Sequence, residues 1–186
     1  MPAANILSEF EETINEQVKC IILDLPFNVV EGNDQPYLAV YLQSNINEAL
    51  YVSTDGNDYA KIANLTNRTF IGSVVSFTSD YITINFRNFE SLVSDDWNLA
   101  AFGQEILKFK RWEKLDTDTY KISEIIRDEF STQNLARSHL QHENFILLKK
   151  NFNIIPVAKK LKGKKVYFKV GNLSPIEITF QNKAGL

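Results

Sequence analysis

Tyr81-Ile-Thr-Ile-Asn-Phe86 decides the fold class of this chain. Ile82, Ile84 and Phe86 alternate with Tyr81, Thr83 and Asn85, the period of two that sets one row of a strand on a core and the other toward water. Val74-Val-Ser-Phe77 precedes it. Glu105-Ile-Leu-Lys-Phe-Lys-Arg-Trp112, Tyr120 to Arg127, Asn144 to Lys149, Lys165 to Gly171 and Ile176 to Phe180 follow, each rich in β-branched or aromatic residues. In the other direction, Val18-Lys-Cys-Ile-Ile-Leu-Asp-Leu25 stops at Pro26, and Tyr37-Leu-Ala-Val-Tyr-Leu42 begins after Pro36. Leu50 to Ser53 and Tyr59 to Ile62 flank Thr54-Asp-Gly-Asn-Asp58, a hairpin signal because Gly56 accepts the positive φ of a tight turn. The expected fold is all-β: a β-sandwich over 18–90, then a smaller β-domain or barrel over 91–172 with a long loop at 128–143. A linker or helical lead-in at 1–17 and a terminal strand or tail at 173–186 flank them.

The 186 residues, 44% hydrophobic and 23% charged, are enough to bury a core and have the balance of a globular chain rather than a disordered one. No apolar run approaches the roughly 20 residues that span a bilayer, and no basic-then-apolar signal opens the sequence, so no membrane insertion is expected. Cys20 is the only cysteine. It allows no internal disulfide and no zinc site built on cysteine pairs, and within Cys20-Ile-Ile-Leu23 it reads as a buried, inert thiol. Charge is unevenly placed: residues 1–100 carry 14 acidic and 4 basic side chains, net −10, whereas residues 101–186 carry 9 and 16, net +7. Such a split fits either two faces with different neighbours or two ordinary solvated surfaces.

Each polar cluster has a functional and a bland reading. His139 and His142, three apart with Glu143 adjacent, could approach one metal on a helix, but nothing completes the site, and a surface or loop role is expected. Asp95/Asp96 and Asp116/Asp118 pair carboxylates as glycoside hydrolysis requires, yet both pairs fall in turns, where Asp bonds the local backbone. Asp55, Asn57 and Asp58 suggest calcium, but the EF-hand spacing and terminal Glu are missing. Lys159-Lys160-Leu-Lys-Gly-Lys-Lys165 could meet phosphates. Gly163 at its centre reads instead as a hairpin tip, and a pI near 5.5 argues against a nucleic-acid partner. No phosphate loop, Gly-x-Ser-x-Gly elbow or His-Glu-x-x-His helix occurs, so no catalytic residue, metal or cofactor is expected.

One further pattern points to a family. Asn98-Leu-Ala-Ala-Phe-Gly-Gln-Glu-Ile-Leu-Lys-Phe109 is followed by Tyr120-Lys-Ile-Ser-Glu-Ile-Ile-Arg127, and then by His139 with Phe145-Ile-Leu-Leu148 six residues on. Together with Leu23-Asp-Leu-Pro26 and Tyr51 to Tyr59 upstream, these ordered pieces resemble the C-terminal region of the large tail-tip hub proteins of gene transfer agents and related siphophages, over about residues 20–170. The chain departs from that pattern at Asp128, Ser131 and Gln133, where the family has two glycines and a glutamate. The resemblance implies a virion component, made in the bacterial cytoplasm, that joins other phage-like tail proteins near the tail tip, as a homotrimer in that family. It also implies host-envelope attachment without enzymatic activity, and a separately encoded or split C-terminal piece of a longer hub protein. The matching positions Asn98, Gly103, Glu105, Phe109, Tyr120, Arg127, His139 and Phe145 become candidate structural residues, with Glu105 and Arg127 an expected ion pair. The alternative is a carbohydrate-binding module in which exposed Trp97 and Trp112 stack on a host-surface glycan.

Overall fold

A computed structural model describes residues 18–24, 37–103, 105–127, 139–156 and 158–179. They form thirteen strands: β1 (Lys19–Leu23), β2 (Tyr37–Gln43), β3 (Glu48–Ser53), β4 (Ala60–Leu65), β5 (Gly72–Phe77), β6 (Tyr81–Asn85), β7 (Asn98–Phe102), β8 (Glu105–Lys114), β9 (Thr119–Ile126), β10 (Asn144–Leu147), β11 (Asn153–Pro156), β12 (Lys165–Val170) and β13 (Ile176–Thr179). A single α-helical turn, α1 (Phe89–Leu92), and a 3-10 turn at Lys159–Leu161 complete the described elements. The fold is therefore all-β. The expectations for 1–17, for Pro26, for the loop at 128–138 and for Phe180 lie outside the described residues.

The strands form a closed six-stranded barrel in the order β10-β5-β6-β9-β8-β7, a three-stranded sheet β1-β2-β11 and a four-stranded sheet β13-β12-β3-β4. This places a β-sandwich and a barrel in one chain, but the sheets do not divide at residue 90. β5 and β6, expected in the sandwich, belong to the barrel, and the sandwich recruits β11, β12 and β13 from the second half. The reason is the distribution of apolar faces. β2 is buried along both faces: Leu38, Val40 and Leu42 meet Leu50, Leu65, Val166 and Phe168 of the four-stranded sheet, while Tyr37, Ala39 and Tyr41 meet Leu99, Ala101, Ile106 and Ile146 on the outside of the barrel. A continuous apolar run needs cover on both sides, and only strands from both halves provide it. The three-stranded sheet is thus the middle layer between barrel wall and outer sheet.

The barrel interior is filled by alternate residues, among them Val74, Ile82, Ile84, Phe86, Ala100, Phe102, Leu107, Phe109, Tyr120, Ile122, Phe145 and Leu147. The Tyr81–Phe86 alternation holds as read: Ile82, Ile84 and Phe86 are buried, whereas Tyr81 and Thr83 are half-buried and Asn85 is exposed. α1 follows Asn88, which adopts a left-handed φ of 58°, a conformation asparagine tolerates better than most residues. It turns Phe89 into the core, with ring centroids 4.7 Å from Tyr120 and 5.4 Å from Phe86. Gly72 is required where β5 crosses this cluster, because a Cβ there would overlap the Phe86 ring.

Local chemistry accounts for the turns. β3 and β4 pair antiparallel around Asp55-Gly56, as expected. Asp55 Oδ1 accepts the N–H groups of Asn57 at 2.8 Å and Asp58 at 3.0 Å and the Ser53 hydroxyl at 2.8 Å. Those bonds, Asn57 first, hold the Asp55 carboxyl down at about 2. The carboxylate is engaged in building the turn. Asn153, buried at the start of β11, accepts from the backbone N–H groups of Thr66 and Asn67 and donates to the carbonyls of Val40 and Asn67. One side chain so ties the β4–β5 link to the middle sheet. Tyr41 donates a 2.6 Å bond to the Leu148 carbonyl, fastening that sheet to the barrel. Cys20 is half-buried against the sandwich core, and burial pushes its thiol up to about 12, consistent with the inert thiol expected. Gly163 does turn the chain (φ 74°). However, β11 before the lysine run and β12 after it belong to different sheets, so the run is a crossover and not a hairpin tip.

Candidate functional site

The most concentrated polar chemistry among the described residues lies where β7 turns into β8. Glu105 opens β8 with a side chain fully removed from solvent. Arg127, one residue past the end of β9, reaches it with two bonds, Nε to Oε1 at 2.9 Å and Nη2 to Oε2 at 2.6 Å. This is the expected Glu105–Arg127 pair, in the bidentate form that matches guanidinium to carboxylate. His139 Nε2 lies 2.6 Å from the same Oε2, and its Nδ1 lies 2.7 Å from Glu143 Oε2. Glu143 Oε1 accepts the Leu140 N–H at 3.0 Å. The imidazole is stacked on Phe102 with centroids 3.6 Å apart and planes 5° from parallel, and Phe77 meets it edge-on at 6.0 Å.

Both ring nitrogens of His139 face carboxylate oxygens, so neither is left open. Burial disfavours the charged form of Glu105, but the bonds from Arg127 and His139 outweigh it, and its carboxyl titrates below the usual range. Arg127 is correspondingly held more firmly protonated by Glu105. A general acid or base must have an atom to offer a substrate. Here each nitrogen of His139 is engaged, and its side chain is only 3% exposed. What the arrangement does chemically is clip residues 139–143 onto the barrel rim. Gly103 belongs to the same device. Its φ is +58°, a Cβ would overlap the Glu143 carboxylate, and its N–H bonds the Asn144 carbonyl at 3.0 Å.

Of the surface or loop role expected for His139, the loop placement holds and the surface placement does not. The segment is a loop, but the side chain is buried, because Glu105 sits 34 residues away on a strand end that local spacing does not reveal. His142 does not join the cluster. It is exposed at φ 67° and only its backbone N–H bonds Val74. Among the described residues, no three His, Cys, Asp or Glu side chains are arranged to hold a metal ion. Asp95, Asp96 and Asp116 are exposed in turns and Asp118 is half-buried, without the buried member that acid–base chemistry on a carboxylate pair needs.

The remaining candidates fall in three places. Phe109, Tyr120 and Phe145 are buried in the barrel, and the Tyr120 hydroxyl donates to Glu90 at 3.1 Å, which Lys114 also contacts at 2.6 Å. Asn98 closes the preceding turn, accepting from the Ser94 N–H and hydroxyl and donating to the carbonyls of Ser94 and Asp96. The two tryptophans separate. Trp97 is 40% exposed with Lys110 Nζ 6.0 Å from its ring centre. Trp112 is not exposed as expected but packs against the barrel core, 5.9 Å from Phe89 and 6.1 Å from Tyr120. The cause is α1, which brings Phe89 beneath it. Two features had no signal in the sequence reading: the Asn153 brace, and a pocket beside Arg68 and Arg87 at the junction of β2, the β4–β5 link and the end of β6. Compared with known protein families and with curated proteins, the sequence matches no family model and no curated protein.

Proposed function

We propose that this chain is a non-enzymatic structural module of a phage-like tail tip, a part of the baseplate hub that docks against other tail proteins and contributes to host-envelope attachment. One observation supports it above others: the residues that carry the resemblance are those that build the barrel. Asn98, Gly103, Glu105, Phe109, Tyr120, Arg127, His139 and Phe145 set its turns, its core and its ionic clip. Residues whose roles are architectural fit an assembly role better than a catalytic one, and the clip offers no open acid, base or nucleophile. The reading places the protein in the virion, as a trimer within the tip. Two measurements test it: coexpression with tail-tube and hub proteins encoded beside it, followed by copurification, and immunolabelling of particles. Failure to copurify with any of them, together with the absence of tail genes around its own, would sink the reading.

A second reading, a carbohydrate-binding module, retains one supporting observation, the exposed ring of Trp97. Trp112 no longer serves it, since its ring packs on Phe89 and Tyr120. On a glycan array, binding that vanishes in Trp97→Ala would favour this reading, and an array without signal would remove it.

A further inference from the structure

A larger groove, about 630 Å³ in volume, opens in the sandwich where the edge of the outer sheet faces the edge of the middle one. Val52, Ile155 and Phe168 of the sandwich core line it, so it leads into that core. Among the described residues β4 pairs only with β3 and β11 only with β2, so each strand presents a free edge. Three consecutive residues of each, Ile62-Ala-Asn64 and Ile154-Ile-Pro156, border the groove. Successive side chains of a strand point to opposite faces. A cavity that touches three in a row therefore meets the strand along its edge. Ile62 is also the extra residue of a β-bulge, since Ala63 lies opposite Leu50 and Lys61 opposite Tyr51, and a bulge re-aims a side chain. Ile62 and Ile154 are left 44% and 45% exposed.

The polar groups divide into those that build the groove and one that is spare. Asn153 is fully engaged with Val40, Thr66 and Asn67, and Asn67 donates to the Phe152 carbonyl at 3.1 Å. These bonds tie the two walls together, so the groove is formed before anything enters it. Asn64 differs: it is exposed, and its carboxamide has no hydrogen-bond partner among the described residues. It offers both a donor and an acceptor, the complement of a peptide group. Charge bears on the occupant as well. Lys61 adjoins Ile62, and Lys160 and Lys162 stand on either side of Leu161, which also lines the groove. All three lysines are exposed, and none has an ion pair among the described residues. An apolar molecule without a backbone would fill the space but leave the strand edges and the spare amide unmatched. An extended segment with apolar residues at alternate positions and acidic ones between them matches all three features. The bulge distorts the β4 edge, which leaves β11 as the strand to be extended.

We propose that this groove accepts an acidic, extended segment of a partner protein, added as a strand to the free edge of β11. The proposal is independent of the tail-tip reading, because assembly is judged by copurification and this site by peptide titration. Fluorescence anisotropy tests it, with the full chain titrated into a labelled hexapeptide of alternating valine and glutamate. An alternating valine–lysine peptide and a valine–glutamate peptide with a central proline are run beside it. Saturable binding of the first is expected, with about tenfold weaker binding of the proline peptide, which cannot complete the ladder. Hydrogen exchange should then show new protection of the β11 amides that point away from β2. Ile154 is exposed, so Ile154→Glu spares the core, and it weakens binding about tenfold by withholding one apolar side chain from burial. Lys160→Glu combined with Lys162→Glu turns the preference from the acidic to the basic peptide. Thermal melts establish that each variant is folded. Absence of saturable binding by the valine–glutamate peptide overturns the proposal. So does equal binding of the proline peptide, unchanged binding in folded Ile154→Glu, or a charge-reversed variant that keeps the acidic preference. Self-association of the chain that Ile154→Glu abolishes would assign the groove to a second copy and overturn it too.

Discussion

Glu105 carries more of the barrel rim than any other single side chain described, since it accepts from both Arg127 and His139 while shielded from water. Buried ion pairs add little net stability over an apolar replacement, but removing one member strands the other. Glu105→Ala is expected to destabilise the chain by about 3–5 kcal/mol in chemical denaturation. Combined with Arg127→Ala, the double loss should fall short of the sum of the single losses by about 1–3 kcal/mol, and simple additivity would refute the coupling. The pH dependence has a definite sign. The folded carboxyl releases its proton more readily than the ordinary Glu at 4.5, so the unfolded chain binds more protons in the window just below that value. Stability from this group is complete above 4.5 and is lost as the pH falls through the lower folded value. Asp55, held at about 2, acts with the same sign at the β3–β4 turn. A stability–pH profile of Glu105→Ala should therefore have a shallower acid limb than that of the parent chain.

At the scale of elements, the turns are as specific as the strands. Gly103→Ala places a Cβ at φ +58° and against Glu143. The left-handed backbone alone costs about 1–2 kcal/mol, and loss of the Glu143 contact adds to it. A melting shift smaller than that of a neutral surface substitution would argue against the geometry. Asn153→Ala leaves two N–H groups and two carbonyls without their partner, and a loss of about 2 kcal/mol or more is expected from denaturant titration. These elements also mark what could be read from sequence. Tyr81–Phe86 and the Asp55-Gly56 hairpin were legible because strand period and turn chemistry are local. β7 was not, since Asn98-Leu-Ala-Ala-Phe102 has both faces buried and therefore no alternation. β11 was too short to stand out, four residues ending in a proline that is tolerated on the edge of its sheet. Glu105–Arg127 was anticipated only as a link between the two strands of the motif that carries the resemblance. His139 and Glu143 stand four apart in plain view, but their meaning depends on Glu105, and only the closed barrel brings that residue to them.

For the whole molecule, the decisive fact is that both assemblies draw strands from both halves of the chain. The barrel joins β5 and β6 to β7–β10, and the sandwich joins β1–β4 to β11–β13. A cut between residues 90 and 91 should accordingly yield two pieces that do not fold apart. Well-dispersed amide spectra from either piece alone would contradict the topology, whereas recovery of the native spectrum on mixing would agree with it. The charge split does not follow a division into bodies either, because the net −10 and net +7 halves are interleaved across the sheets.

Interleaving also sets an order of events during synthesis. β2 is a seven-residue apolar strand whose second edge is covered only by β11, more than a hundred residues later, and whose sandwich face waits for Val166 and Phe168. Chains emerge from the ribosome at about 5–20 residues per second, so β2 remains open along an edge and a face for several seconds. Protection of that strand by a chaperone, or pulse-labelling that finds it the last region to exclude solvent, is the kinetic signature of a middle layer that cannot close until the chain is nearly complete.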